Sequence, residues 1–595
     1  MGYLSAKCKS NKERIEKNMS NLIKKLSYLL EKKEKIKLIF ILIMIIGGSI
    51  AELLGVAILL PIVNLAIDDN YQENMWCKIV IDYTGKNDRE SILLILIGIT
   101  VFIYIFKTIY LICMHNTLYK FSANVKSNMA RKLMTAYLKQ PYKFFLNKNS
   151  SELIRAVNQD TGQIYEIILN VLNIISNGLT ALSLILTLFV TNVVMTLVVA
   201  AFLGISASII LFFIQKKTRY YGRRNQQLSS SILKYIQQSF EGIKEIKILG
   251  NEKFFIDQYI ETYMDHAETG RKYNLSGMIP KYLIETVCIV GIMLYFGFNI
   301  AFNPNYLEIV PQLTVFVAAS TKLIPSVNSL YTYFNTIMYH KAAIDVIYDD
   351  VKEADELNTV ELLLDGSYEK MKFNEEVSLS NLTFKYDKTE RKILDKISMV
   401  VPKGKSIALI GPSGEGKTTT ADIILGLLIP TEGKVLVDGV DIQTNLPGWR
   451  RQIGYIPQSI YLIDDSIKNN IALGVPEKDI KIEKIMSALK EAQLLEFVQG
   501  LENGIETKIG ERGTRISGGQ RQRIGIARAL YHNPEILVFD EATSALDTKT
   551  EKEVMNAIEG LQGTKTIIMI AHRLSTIEKC DIVYKVEKGS VSQER

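Results

Sequence analysis

Six long runs of apolar residues dominate the first part of the chain, and each is long enough to cross a membrane as a helix. A hydrocarbon core of about 30 Å needs about 20 helical residues. The runs lie at 38–67, 91–114, 164–190, 193–215, 279–302 and 307–330. The third and fourth are separated by Thr191 and Asn192, which predicts a helical hairpin. The pattern therefore predicts an α-helical membrane domain of six transmembrane helices.

The polar segments between these runs differ in charge, and the difference predicts their orientation. Residues 1–37 contain eleven Lys and Arg residues, and the long segments 115–163 and 216–278 are also basic. Residues 68–90 instead carry six acidic and three basic residues. Because basic segments stay on the cytoplasmic side of a membrane, we expect both termini and both long segments to be cytoplasmic.

The last third of the sequence has the pattern of a soluble α/β domain, in which short apolar strands alternate with helices. We predict four regions, which are a basic cytoplasmic segment (1–37), the membrane domain (38–340), a linker (341–372) and the α/β domain (373–595). The net charge of +7 is not arranged as a nucleic-acid-binding stripe, and the five cysteines show no metal-ligand spacing. We therefore expect a bilayer as a partner, and no nucleic acid.

A glycine-rich phosphate loop follows the apolar strand 406–410 and precedes a helical run. Strand, loop and helix in this order place backbone N–H groups and the positive end of the helix around phosphates. Lys417 can reach the β- and γ-phosphates of a nucleotide, and the Thr418 hydroxyl is placed for Mg²⁺. The loop residues that we assign to ATP are Gly411, Ser413, Gly414, Glu415, Gly416, Lys417, Thr418 and Thr419.

Two further motifs have the chemistry that hydrolysis of ATP requires. The buried strand 536–539 ends in Asp540 and Glu541. Asp540 is placed to hold Mg²⁺ through water, and Glu541 to orient and deprotonate the attacking water. Ser517, Gly518, Gly519 and Gln520 open a helical run, which predicts a second anion site.

This set of motifs resembles the ATP-binding cassette family over the whole α/β half, and the resemblance implies roles for further residues. Residues 516–520 are similar to the family's signature motif, with Ile516 where Leu is usual. Gln458 resembles the glutamine that senses Mg²⁺, so Thr418, Gln458 and Asp540 form the implied metal set. Asp547 is similar to the aspartate of the family's dimer-crossing loop. His572 is similar to the switch histidine that contacts the γ-phosphate, and Tyr386 to the aromatic residue that stacks on adenine. The implied catalytic residues are Glu541, His572 and Gln458.

The resemblance also implies a fold and an assembly. A membrane domain followed by a cassette is similar to the exporter architecture, in which each ATP lies between one subunit's phosphate loop and the other's signature motif. A chain with one cassette must then pair, as a homodimer or with a different partner. The resemblance further implies that loop tips at 140–145 and 239–245 dock on cassettes, and that 507–513 is a coupling segment.

The substrate is predicted from a narrower resemblance. Residues 245–250, 460–467 and 322–326 are similar to bacterial lipid-linked oligosaccharide flippases of the inner (plasma) membrane. An anionic lipid-linked substrate needs cations on its path, and the candidates are Lys322, Lys107 and Arg271. Each lysine can alternatively snorkel to the membrane edge. A multidrug or lipid exporter, which needs chiefly an apolar cavity, is the alternative function.

One short segment outside these motifs has two interpretations. Residues 74–81 have the pattern of an amphipathic helix at the outer surface, with Trp76 in the headgroup layer. An ordinary surface loop is the other interpretation.

Overall fold

The chain forms two compact units. The computed structural model describes residues 20–57, 78, 82, 85, 88–191, 193–302, 310–356, 369–387, 389–541, 548–571, 573 and 577–595. The first unit comprises Met1–Leu138 and Lys148–Leu357, and the second comprises Lys139–Asn147 and Asn358–Arg595. Lys139–Asn147 therefore packs with the carboxyl-terminal part of the chain, although its neighbours on both sides belong to the first unit.

Helices make up the described part of the first unit. After a helical stretch at 20–29, the helices up to the linker are, in chain order, α1 (Lys32–Ala57), α2 (Arg89–Lys139), α3 (Tyr142–Asn147), α4 (Ser150–Arg155), α5 (Thr161–Thr191), α6 (Val193–Glu241), α7 (Ile243–Leu249), α8 (Glu252–Phe302) and α9 (Val310–Glu356). A π-helical turn, Ala156–Asp160, joins α4 to α5, and α3 belongs to the second unit.

The predicted apolar runs all contribute to these helices. Within the described residues α1, α2, α5 and α8 contain windows long and apolar enough to span a membrane. The other two runs begin α6 and α9. The helices do not end at the membrane edge, because α2 continues to Lys139, roughly 25 residues and about 38 Å beyond its predicted span. The segment around Trp76 lies outside the described residues, apart from Lys78.

Two sheets form the framework of the second unit. The strands are β1 (Glu376–Lys385), β2 (Lys392–Pro402), β3 (Ser406–Ile410), β4 (Glu432–Val437), β5 (Val440–Asp441), β6 (Ile453–Ile456), β7 (Ile536–Asp540), β8 (Thr566–Ile570), β9 (Ile582–Glu587) and β10 (Ser590–Gln593). The order β2-β1-β4-β5 forms an antiparallel sheet, and β10-β9-β3-β8-β7-β6 forms a second sheet that is parallel except at β10.

Helices cover the second sheet. They are α10 (Lys417–Ile424), α11 (Leu446–Arg450), α12 (Ile467–Ile471), α13 (Ile482–Glu491), α14 (Leu495–Gln499), α15 (Gly518–Tyr531) and α16 (Thr548–Glu559). Strands β7 and β8 are buried at every residue, as expected for parallel strands covered on both faces. Because parallel strands β3, β6, β7 and β8 end at the same edge, the loops that follow them meet there.

Candidate functional site

The phosphate loop runs from the end of β3 to the start of α10, as predicted. Gly411 and Gly416 have φ angles of 138° and 109°, in the region that favours glycine. A Cβ atom at Gly411 would also lie 2.0 Å from the carbonyl oxygen of Val586. The loop therefore needs glycine at this position, because both its backbone conformation and its neighbour exclude a side chain.

Lys417 is buried on the inner side of this loop. Its Nζ donates to the carbonyl oxygens of Gly411 at 2.9 Å and Pro412 at 2.8 Å. Burial lowers the pKa of the Lys417 ammonium, while the charges of Glu541 and Asp540 act in the opposite direction. The next residue, Thr418, is exposed at the first turn of α10. A cation and a hydroxyl thus stand at a helix amino terminus, where phosphates and their metal ion bind.

Glu541 lies directly after β7 and is hydrogen-bonded to Gln458, which follows β6. Gln458 Nε2 donates to Glu541 Oε2 at 2.7 Å. Glu541 has a φ of 48°, a left-handed conformation that is uncommon for residues other than glycine and that clusters at functional sites. Asp540 ends β7 and is buried. The family resemblance implied that these three residues belong to one site, and the structure brings Gln458 into contact with Glu541, the residue after Asp540.

Asp422, on α10, is an acidic neighbour that sequence reasoning missed. Burial, and then the charge of Asp540, raise its pKa to about 6. Its position near the phosphate loop could have been predicted, because residue 422 lies one helical turn after Thr418 and therefore on the same face of α10. Its burial beside β7 depends on the packing of α10 and could not be read from the motif.

The signature segment begins α15 with a capping box. Ser517 Oγ accepts from the N–H of Gln520 at 3.3 Å, and Gln520 Oε1 accepts from the N–H of Ser517 at 2.8 Å. Ser517 and Gly518 are exposed, so this helix start is accessible to an anion. Gln522 Nε2 donates to the carbonyl oxygen of Gln458 at 3.3 Å, which links the signature helix to the segment that holds Glu541.

Of the remaining residues predicted to bind or act on ATP, most lie in the described part of the structure and two do not. Tyr386 is half-buried, and its hydroxyl lies 3.2 Å from Thr419 Oγ1. Glu415 Oε2 accepts from the N–H of Lys588 at 2.6 Å. Ser413 and Gly414 are exposed, whereas Gly519 is buried. Asp547 and His572 lie outside the described residues, so their roles stay predictions.

The first of the two candidate loop tips packs in the second unit, as the family resemblance implied. Lys143 Nζ, on α3, lies 2.7 Å from Asp387 Oδ1, and Phe144 is buried. Burial raises the pKa of Tyr142, and the charge of Asp422 raises it further. The second candidate tip comprises the end of α6, Gly242 and the start of α7, where Ile243 is exposed.

A large cavity lies between α8 and α9 in the first unit. Its volume is about 1200 Å³, and it is lined by Tyr273, Asn274, Gly277, Met278, Lys281, Glu285, Ile289, Met293, Thr321, Ile324, Pro325, Asn328, Ser329, Thr332, Tyr333 and Asn335. Both helices contain a proline here, at Pro280 and Pro325. Because Pro280 has no N–H to bond the carbonyl oxygen of Ser276, that oxygen can accept from the Tyr331 hydroxyl, at 3.2 Å.

Two of the predicted substrate cations form ion pairs and do not line this cavity. Lys107 is buried, with its Nζ 2.6 Å from Glu52 Oε2 on α1. Arg271 is exposed and bonded to Glu268 at 2.7 and 2.8 Å. The side chain of Lys322 lies outside the described part of the structure. Lys281, which sequence reasoning did not select, is a lysine in the wall of the cavity.

Two family models match the chain. The one described as ABC transporter transmembrane region matches residues 38–318, and the one described as ABC transporter matches residues 394–544. The chain is also 32% identical to an ATP-dependent lipid A-core flippase of Cupriavidus metallidurans, over 80% of this chain and 79% of that protein. The chain belongs to the ABC transporter family. Its cassette therefore hydrolyses ATP, and hydrolysis is coupled to transport.

Other similar proteins agree with this assignment. The ABC transporter is 33% identical to an ATP-dependent lipid A-core flippase of Francisella tularensis subsp. tularensis, over 76% of this chain and 74% of that protein. It is 29% identical to one of Mannheimia succiniciproducens, over 86% of each chain. A bacterial Atm1-family ABC exporter, solved with ATP bound, matches 92% of this chain and 94% of its own with a TM-score of 0.73 and 23% identity. This last likeness establishes the exporter fold.

Proposed function

We propose that this transporter is a homodimeric flippase that moves a lipid-linked oligosaccharide across the bacterial inner membrane. Relatives named lipid A-core flippases support an amphipathic lipid as the class of substrate. The observation that carries the proposal is the cavity between α8 and α9, because the chemical character of its lining changes along its length.

The cavity has a polar end and an apolar end. The stacked rings of Tyr273 and Tyr339, 3.8 Å apart, show that the first half of α8 lies beside the second half of α9. At that end the cavity is lined by hydroxyl, amide and phenol groups, from Tyr273, Asn274, Ser329, Thr332, Tyr333 and Asn335. At the opposite end the lining is chiefly apolar, with Ile289, Met293 and Ile324 beside Thr321. This gradient suits a ligand with a hydrophilic head and a hydrocarbon tail.

Lys281 lies between the two ends of the cavity. Lys281 lies two residues inside the predicted span 279–302 and is exposed in the described structure. An ammonium group inside the span is stabilised by polar surroundings or by an anion. A phosphate or pyrophosphate that joins the glycan to the lipid supplies such an anion. Glu285, four residues later on the same face of α8, disfavours a second anionic group nearby.

The polar end of the cavity favours a glycan over a drug. Amide and hydroxyl groups offer both donors and acceptors, which matches the many hydroxyl groups of a sugar. Asn328, also in the wall, has a buried Oδ1 without a hydrogen-bond partner among the described residues. The names of the relatives, and an apolar end that any lipid tail would fit, favour a lipid exporter as the second candidate.

The nucleotide site supports a proposal for assembly and catalysis. In a homodimer the exposed Ser517 would meet the phosphate loop of the second copy. The oxygens of Thr418, Gln458 and Asp540 fit Mg²⁺, which prefers hard oxygen ligands. Bound Mg²⁺ would neutralise charge on the phosphates. Glu541, held by Gln458, would accept the proton of the attacking water.

The direction of transport is proposed from the orientation of the chain in the membrane. The basic residues of segments 1–37, 115–163 and 216–278 support a cytoplasmic position for both termini and for the cassette. The substrate head would then enter from the cytoplasmic side, where ATP is available.

The experiment is a flipping assay with the Lys281→Gln variant in proteoliposomes, using a fluorescent lipid-linked oligosaccharide with a pyrophosphate bridge. We expect flipping to fall by about tenfold, because the charge that the head needs is lost. Basal ATP hydrolysis should remain within about twofold of wild type, since the cassette is unchanged. Lys281→Arg should retain flipping, because a guanidinium also binds phosphate oxygens.

The matched control is Lys272→Gln, which removes an exposed lysine of the same helix that pairs with Glu268 outside the cavity. Normal flipping by Lys281→Gln would remove this lysine from the substrate path. A wild-type protein that ignores the lipid-linked oligosaccharide but transports lipid A would favour the second candidate, and transport of hydrophobic drugs alone would indicate a multidrug exporter.

A further inference from the structure

One buried carboxylate, Asp350, contacts residues beside two of the three points at which the chain passes between its two units, and lies on the helix that leads to the third. The passages follow Leu138, Asn147 and Leu357. Tyr137, one residue before the first passage, donates its hydroxyl to Asp350 Oδ2 at 2.6 Å. Lys148, directly after the second passage, places its Nζ 3.5 Å from Asp350 Oδ1. Asp350 itself lies seven residues before the third.

The surroundings of Asp350 are packed and leave little room for movement. Asp350 is 6% exposed and Tyr137 is 4% exposed. On either side of Asp350 on α9, Ile347 and Val351 are almost completely buried. A hydrogen bond to a charged group in such an environment is stronger than one at the surface. The Tyr137–Asp350 contact therefore fixes the end of α2 against α9.

A second buried ion pair adjoins this contact. Arg155 Nη2 lies 3.4 Å from Asp160 Oδ2, at the two ends of the π-helical turn, and Gln226 Nε2 of α6 donates to the same oxygen at 3.1 Å. The carboxylates of Asp160 and Asp350 interact electrostatically. Single π-helical turns often mark functional positions in helices. The packed region thus joins α2, the start of α5, α6 and α9, outside their predicted membrane-spanning runs.

We infer that Asp350 is a positioning residue that couples the cassette to the membrane helices. The segment between Tyr137 and Lys148 carries α3, which moves with the cassette because it packs in the same unit. Asp350 contacts Tyr137 before that segment and Lys148 after it. It also lies on α9, the helix that leads to the cassette through the linker. A displacement of the cassette would therefore reach α9 in two ways, through the residues that flank α3 and through the linker. Both ways involve the side chain of Asp350 or the helix that carries it. This inference does not depend on the substrate or on the proposed flippase function.

The test compares the full-length wild type with Asp350→Asn in lipid nanodiscs by hydrogen–deuterium exchange, with and without ATP, Mg²⁺ and vanadate. In the wild type, trapping should change exchange in the cassette and in α5, α8 and α9. In Asp350→Asn we expect the cassette response to persist and the response of the membrane helices to fall by about threefold. Asp349→Asn is the matched control, because it changes an exposed carboxylate one residue away.

A second variant separates coupling from simple destabilisation. Tyr137→Phe removes one hydroxyl group and should reduce the membrane response in the same direction. Combined with Asp350→Asn it should add little, because Asp350→Asn already removes the negative charge that strengthens this hydrogen bond. An unchanged membrane response in Asp350→Asn would overturn the inference. So would faster exchange throughout the variants before ATP is added, since this would show a structural role alone.

Discussion

Gln458 and Glu541 follow neighbouring strands of the parallel sheet, and one hydrogen bond holds their side chains together. Gln458 also accepts, through its backbone carbonyl, from Gln522 of the signature helix. At the residue scale, the proposed base is therefore positioned by a residue that also contacts the segment proposed to bind the second nucleotide. The position of the Glu541 side chain then depends on that of α15.

The first prediction concerns Glu541→Gln. The amide oxygen can still accept from Gln458, so the side chain should stay in place while its ability to accept a proton is lost. We expect ATP binding to be preserved and hydrolysis to fall by at least about a hundredfold. Nucleotide binding and phosphate release on the same sample provide the measurement, with the exposed Glu502→Gln as control. Near-normal hydrolysis would assign the base role to another residue, with His572 the next candidate.

The second prediction concerns the pH dependence of stability at Asp422. Its folded-state pKa of about 6 lies above the ordinary value of 3.8. The folded protein therefore binds this proton more tightly than the unfolded chain does. Folding loses free energy as the pH rises from about 4 to about 6, and the loss persists above that range.

Asp422→Asn should consequently stabilise the nucleotide-free protein at pH 7.5, by on the order of 1 to 2 kcal/mol after allowance for solvent screening. The gain should shrink as the pH falls towards 4. Thermal unfolding between pH 4 and 8 is the measurement, and Asp464→Asn, at an exposed position, is the control. A variant that melts below wild type at pH 7.5 would show that the carboxylate is stabilising.

At the element scale, α3 is a six-residue helix whose position depends on its contact with the second unit. An isolated helix of this length is unstable in water, so burial of Phe144 and the Lys143–Asp387 ion pair must hold it in place. An exposed ion pair contributes little. Phe144 is therefore the side chain on which the docked position chiefly depends.

The third prediction is that Phe144→Ala loosens α3. Removing a buried phenyl group costs about 3 kcal/mol at a well-packed site. The measurement is the yield of an intramolecular cross-link between cysteines at positions 143 and 387 in a background without the natural cysteines. We expect the yield to fall. Phe145→Ala is the control, since this neighbouring phenylalanine is 40% exposed. Equal yields in both variants would refute the role of Phe144.

The sequence was informative about elements whose signal is local. Apolar runs predicted the membrane helices, and the strand–loop–helix motif predicted the surroundings of Lys417. Segment 115–163 is helix-compatible in its sequence, but the end of α2 at Lys139 was not predicted, because polar residues outside the membrane have no apolar run to mark a boundary. The contact between Tyr137 and Asp350 joins residues 213 positions apart, so it depends on tertiary packing that single-sequence patterns do not encode.

At the scale of the whole molecule, the exposed signature segment is the feature that calls for a second copy. Ser517 caps α15 and is accessible in the single chain, while the phosphate loop surrounds Lys417. In the proposed homodimer each ATP would be enclosed by one copy's loop and the other's signature segment. Two different defects, one on each side of a site, should then complement one another.

The fourth prediction uses that complementation. Lys417→Ala should weaken nucleotide binding, and Ser517→Arg should block closure without preventing binding. A mixed dimer contains one site built from the two intact halves. A fully exchanged equal mixture should therefore recover about a quarter of wild-type hydrolysis. Lys417→Ala mixed with wild type shows whether a single intact site can turn over. If it can, and the two variants do not complement, reciprocal sites are excluded.

The contact between α3 and the cassette also has a consequence for synthesis on the ribosome. Lys143 is made roughly 240 residues before its partner Asp387, an interval on the order of 10 to 50 s at typical rates of translation. The membrane helices are thus complete while the surface that will cover Phe144 does not yet exist. During this interval Tyr142, Phe144 and Phe145 face water on a nascent chain. The neighbouring lysines at 139, 143 and 148 give this aromatic segment the charge that limits its aggregation until the cassette emerges.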